Sequence, residues 1–203
     1  MHSGQDLEGI EQRAYQTLWE DGLIDLFVGA GVLGIGVSWI TGYPVFGAVL
    51  PAMLVPMWQA ARKRIAEPRS GYVEFSPRRK GRERRGLGIL LLVGSLMLTL
   101  AIALFAIARH GAQAFEGITP VVIPALPAAL LALGAALVGA IVGIHRFLAY
   151  AVLLLITGAV GTALAAEPGW HMVASGAAIA AVGVVRLASF LRRYPRPDVK
   201  GAS

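Results

Sequence analysis

Apolar residues run without a single charge from Leu26 to Ala61, from Leu87 to Ala108 and from Gly117 to Ile144. These stretches have neither the polar stripe of a surface helix nor the strict alternation of a half-buried strand. An apolar helix of about 20 residues crosses a hydrocarbon layer of about 30 Å. The pattern therefore predicts an all-α membrane protein with six spans: Leu23–Ile40, Val45–Ala61, Leu87–Ala108, Val121–Ile144, Phe147–Ala166 and Met172–Leu191. Punctuation agrees with it. "TGYP" ends the first span, Pro44 suits the first turn of the second, "EPG" stops the fifth and "RRYPRP" follows the sixth. The spans pair into three hairpins.

Polar residues divide the chain further. Residues 1–22 form an N-terminal segment, 23–61 the first hairpin, 62–86 a basic link, 87–144 the second hairpin, 145–191 the third and 192–203 a basic tail. The link carries ten of the 18 lysines and arginines. The tail adds Arg192, Arg193, Arg196 and Lys200, and Arg146 follows span four. Only Arg109 falls in a link on the other side. Cytoplasmic links are enriched in lysine and arginine, so both termini are expected in the cytoplasm. Leu7, Ile10, Ala14 and Leu18 share one face of the N-terminal segment. That spacing predicts a short helix along the inner membrane surface. Its acids, Asp6, Glu8 and Glu11 among them, suit docking on the basic link.

Composition sharpens the class. Hydrophobic residues make up 56% of the 203 positions and charged residues 15%, against about 25% charged in soluble domains. Cysteine is absent, which excludes disulfides, thiolate metal ligands and cysteine nucleophiles. The first 22 residues hold five acids and one arginine, unlike a secretory signal. Tyr15, Trp19, Trp39, Tyr43, Trp58, Trp170 and Tyr194 fall near expected membrane boundaries, where amphipathic rings prefer to sit.

Chemistry-bearing residues are few. "GAGVLG" places Gly29, Gly31 and Gly34 in the G-x-G-x-x-G spacing of dinucleotide-binding turns. After Asp25 the next acid is Glu67, too late to hold a ribose, and both flanks are apolar. Gly29, Gly31, Gly34 and Gly36 are read instead as helix-packing residues that let neighbours approach closely, within one subunit or between two. Asp25 and Arg186 are the ionisable residues inside the expected spans, both near the cytoplasmic boundary. They form a candidate intramembrane pair, either a structural bridge or part of a substrate path. Pro51 and Pro56 lie mid-span and predict a kink in span two. Arg62, Lys63, Arg64, Arg78, Arg79, Lys80, Arg82, Arg84 and Arg85 are candidate contacts for anionic lipid. No aromatic platform accompanies them, so no nucleic-acid partner is expected. The four histidines lack metal-ligand spacing, and no nucleophile–base set or carboxylate pair occurs. No catalytic residues, metal or cofactor are expected.

On "EPRSGYVEF" and "GVVRLASFLRRYPRPD", the chain resembles small, uncharacterised multi-pass membrane proteins of bacteria. The resemblance implies six spans in a bacterial inner membrane and no particular activity. The expected role is a non-enzymatic scaffold or accessory subunit, packing on a membrane partner or a second copy through small-residue faces. The alternatives are a small-solute or proton-coupled transporter built on Asp25, Arg186 and span two, and, more weakly, an enzyme acting on lipid.

Overall fold

The computed structural model describes residues 21–70 and 119–195. The expected N-terminal surface helix, span three, most of the basic link and the end of the tail lie outside these residues. The described residues are all-helical. Five long helices are α1 (Leu23–Ile40), α2 (Pro44–Ile65), α3 (Thr119–Val142), α4 (Arg146–Ala163) and α5 (Pro168–Arg193), and a single helical turn, Glu67–Ser70, follows α2. α1, α4 and α5 are long and apolar enough to cross a membrane, and α3 contains a shorter apolar stretch, Ala125–Ile141.

Local signals set the helix ends. Ahead of α1, the Asp21 carboxylate accepts the Leu23 N–H at 2.9 Å, satisfying one of the free donors at a helix start. Gly42, at φ +77°, closes α1. The Tyr43 N–H donates to the Ser38 carbonyl at 2.9 Å and the Gly42 N–H to the Trp39 carbonyl at 3.1 Å. This is the paired-bond stop that a left-handed residue permits, and Pro44 then opens α2. α2 stays helical through Pro51 and Pro56, so it is not a broken helix. α2 also extends past the expected end at Ala61 and takes in Arg62, Lys63 and Arg64. α5 likewise overruns its expected span, Met172–Leu191, at both ends. Hydropathy marks where hydrocarbon ends, whereas helical hydrogen bonding continues into the interface.

α1 and α5 form the antiparallel centre. Gly22, Gly29 and Gly36 recur every seven residues, and so do Gly169, Gly176 and Gly183. The two series meet in opposite order along the pair. A Cβ on Gly29 would lie 2.8 Å from the Gly176 carbonyl oxygen, and one on Gly176 would lie 2.8 Å from that of Gly29. Gly36 and Gly169 repeat this at 2.7 and 2.8 Å. The backbones touch, and no side chain larger than hydrogen fits between them. Such approach brings Cα–H groups against carbonyl oxygens, a weak attraction that recurs at close helix interfaces.

The other helices surround this pair. α2 covers a second face of α1, where Gly31 faces Leu54 and Gly34 faces Leu50. α4 lies along α5, and α3 lies mainly along α4. Val32 of α1 packs with Ala132 of α3 and with Ala151 and Leu154 of α4. Phe147 and Tyr150 of α4 pack with Ile179 of α5, and Ile24, Val28 and Val138 join them. Leu23, Ala66 and Phe190 close the end where α1 begins and α2 and α5 finish. Outward positions are largely apolar, among them Phe46, Val49, Met53, Val152, Ile156, Val160 and Val185.

Candidate functional site

The end of the bundle closed by Leu23, Ala66 and Phe190 gathers the charges. It holds the start of α1, the end of α2, the α3–α4 turn and the last turns of α5. Asp25 lies in the first turn of α1, where a carboxylate suits the positive end of the helix dipole. Its side chain is fully buried, at 0% exposure. Arg146, the first residue of α4, places Nη1 3.0 Å from Asp25 Oδ2. Arg186 of α5 places Nη1 3.7 Å from the same oxygen. The carboxylate thus ties three helices at one point. The Tyr150 hydroxyl stands within electrostatic reach of Asp25 and makes no hydrogen bond to the described residues.

The two arginines are not equivalent. The Arg146 side chain is 14% exposed and makes the close contact. The Arg186 side chain is 42% exposed and stands farther off. One carboxylate against two guanidinium groups leaves the trio net positive. Asp21, buried nearby, adds a second acid. Burial raises its carboxyl above the ordinary value, opposed by the Leu23 N–H and by the charges of Arg62 and Arg146.

A smaller polar contact joins α4 and α5. The Ser175 hydroxyl lies 2.6 Å from that of Thr157 and donates to the His171 carbonyl at 2.7 Å. His171 is buried beside Gly161, towards the end away from the arginines. Neither of its ring nitrogens has a hydrogen-bond partner among the described residues.

The residues singled out in the sequence are distributed as follows. Asp25 and Arg186 come together, but Arg146 is the closer partner of the carboxylate. Gly29 and Gly36 face α5, while Gly31 and Gly34 face α2, so all four are taken up within the chain. Arg62, Lys63 and Arg64 form the last turn of α2. Arg62 lies over the Trp58 ring, 5.5 Å from its centroid, and Lys63 and Arg64 are exposed. Arg78, Arg79, Lys80, Arg82, Arg84 and Arg85 lie outside the described residues.

Sequence reasoning passed over Arg146, counted only as a topological charge. It also passed over Gly169, Gly176 and Gly183, although their seven-residue spacing matches that of Gly22, Gly29 and Gly36. Comparison with protein-family models, curated proteins and solved structures gave no match.

Proposed function

We propose that the chain is a six-span protein of the bacterial inner membrane, with both termini in the cytoplasm, acting as a scaffold or accessory subunit. Support for the orientation comes from Arg62, Lys63, Arg64, Arg146, Arg192 and Arg193, all at one end of the bundle. The described turns at the other end, residues 41–43 and 164–167, contain no lysine or arginine. That asymmetry matches the enrichment of positive charge on the cytoplasmic side. Support for span three, outside the described residues, comes from the sequence and from where its neighbours end. α2 finishes at the basic end and α3 starts at the opposite end. Between them in the sequence lies Leu87–Ala108, an uncharged apolar run long enough to cross a hydrocarbon layer.

The observation that carries the scaffold reading is the glycine register of α1 on α5, which locks the centre along its length. Inside, the Asp25 carboxylate faces two arginines and the Ser175 hydroxyl meets that of Thr157. Such a bundle holds its shape and offers its outer surface. The glycine faces are occupied within the chain, so a partner meets outward apolar positions. Phe46, Val49, Met53 and Met57 of α2 form one such stripe, spaced to lie along a single helix face.

The test is the particle extracted from native membranes in mild detergent. An assembly larger than one 21.3 kDa copy is expected, with crosslinks from a probe at Met53. A single-copy particle that moves a solute into proteoliposomes, and loses this in Asp25→Asn, would replace the scaffold by a transporter. The full burial of an ionisable residue in an apolar helix is the observation that favours this second reading.

A further inference from the structure

Arg186 occupies an unusual place on α5. Its neighbours along the same stripe are Ala178 and Val182 towards the middle of the helix, and Ser189 and Arg193 towards its basic end. All five are exposed, as is the adjacent Val185 at 65%. The stripe therefore runs from apolar, through one guanidinium, to a small polar residue and a second guanidinium. The Ser189 hydroxyl is occupied by the Val185 carbonyl at 2.9 Å, which leaves the arginines as the strong donors of the stripe.

The Asp25 carboxylate does not consume Arg186. Arg146 holds that carboxylate at 3.0 Å, while Arg186 stands at 3.7 Å, beyond ordinary hydrogen-bond distance. A guanidinium has five donors in a planar fork, matched to carboxylate and phosphate oxygens. Asp25 pulls one edge of this fork inward, and the exposed remainder faces outward at the foot of an apolar surface. Arg193 follows seven residues later, about 10 Å along the helix.

We propose that Arg186, with Arg193, binds the phosphodiester of an anionic phospholipid at the basic end of the bundle, with an acyl chain lying along Ala178, Val182 and Val185. The recognised chemistry is a phosphate oxyanion. The apolar approach to Arg186 selects a lipid headgroup over free phosphate, because a free ion gains nothing from the valines. The site rests on the membrane placement above and not on the scaffold role.

The test uses the full chain, purified in a nonionic detergent. Binding of dioleoylphosphatidylglycerol is read by native mass spectrometry and by the lipid-dependent rise in Tm. Phosphatidylglycerol is expected to bind the native chain about fivefold more tightly than it binds Arg186→Gln, the worth of one arginine at an anionic surface. Arg193→Gln, at an exposed position, should show a similar loss. Arg192→Gln, exposed at the same end of α5 but on a different face from the stripe, should keep the native affinity. Equal losses in all three variants would mean a diffuse basic field and would overturn the site. Undiminished binding in Arg186→Gln and Arg193→Gln would overturn it too, as would an equal Tm rise from inorganic phosphate. A chain that stays monodisperse without detergent would instead fail the membrane placement, an outcome read before any lipid is added.

Discussion

Asp25 is the costliest residue in the bundle to leave alone. A carboxylate buried without partners loses several kcal/mol of hydration, and only close, well-aligned cations return it. Arg146 supplies a close cation at 3.0 Å from one helix, and Arg186 a more distant one at 3.7 Å from another. Asp25→Asn removes the acidic partner of the mostly buried Arg146, and Arg146→Gln leaves Asp25 with the more distant guanidinium. Each single change is expected to destabilise the bundle by about 3–5 kcal/mol. The pair Asp25→Asn/Arg146→Gln should lose clearly less than the sum, because no uncompensated charge remains. Unfolding of all three variants in detergent measures the coupling, and strict additivity would contradict direct pairing.

Asp21 gives a pH dependence of opposite sense to that of a salt-bridged acid. Its folded value lies above the ordinary 3.8 because burial disfavours the charge. A raised folded value means that the folded state holds the proton more tightly. The stability it contributes is full below 3.8 and is lost as pH rises through the raised value. Asp21→Asn keeps an acceptor for the Leu23 N–H and removes the titration. Melts between about pH 4 and about pH 7 should therefore fall less steeply in Asp21→Asn than in the native chain. A steeper fall in the variant would reverse the assignment.

Between elements, glycine position matters more than glycine number. Gly29 and Gly176 touch backbone to backbone, so an added methyl has no flexible side chain to displace. Gly29→Ala and Gly176→Ala should each lower stability by about 1–3 kcal/mol, the usual cost of overpacking. A Cβ at Gly31 would meet Leu54 at an ordinary 3.5 Å, and one at Gly134 would meet nothing within 4 Å. Gly31→Ala and Gly134→Ala should be neutral or slightly stabilising, since alanine favours the helix by about 1 kcal/mol. A thermal series over these four variants separates the α1–α5 seam from the other glycine positions. Equal effects at Gly29 and Gly134 would remove the seam from the account. The hairpin grouping legible in the chain does not foretell this seam, because its two helices are the first and last of the described fold.

At the scale of the whole molecule, one end is basic, while the described turns at the other carry no lysine or arginine and lie beside exposed Tyr43 and Trp170. The absence of cysteine makes single-cysteine labelling clean. Glu167→Cys should react with an impermeant reagent in intact cells, and Arg64→Cys only after the inner membrane is opened. The reverse pattern would invert the proposed orientation. The all-helical character, the apolar length of α1, α4 and α5, and the segregation of charge along the chain are legible in the order of amino acids. These follow from local composition, because compatibility with hydrocarbon is a property of each segment alone. That Gly29 and Gly36 meet α5 while Gly31 and Gly34 meet α2, and that Arg146, not Arg186, takes the close position on Asp25, emerges from helix packing alone. Those outcomes depend on how far each helix is rotated and shifted against its neighbours. Along α1 the hydropathy is nearly uniform around the helix and carries no record of that rotation.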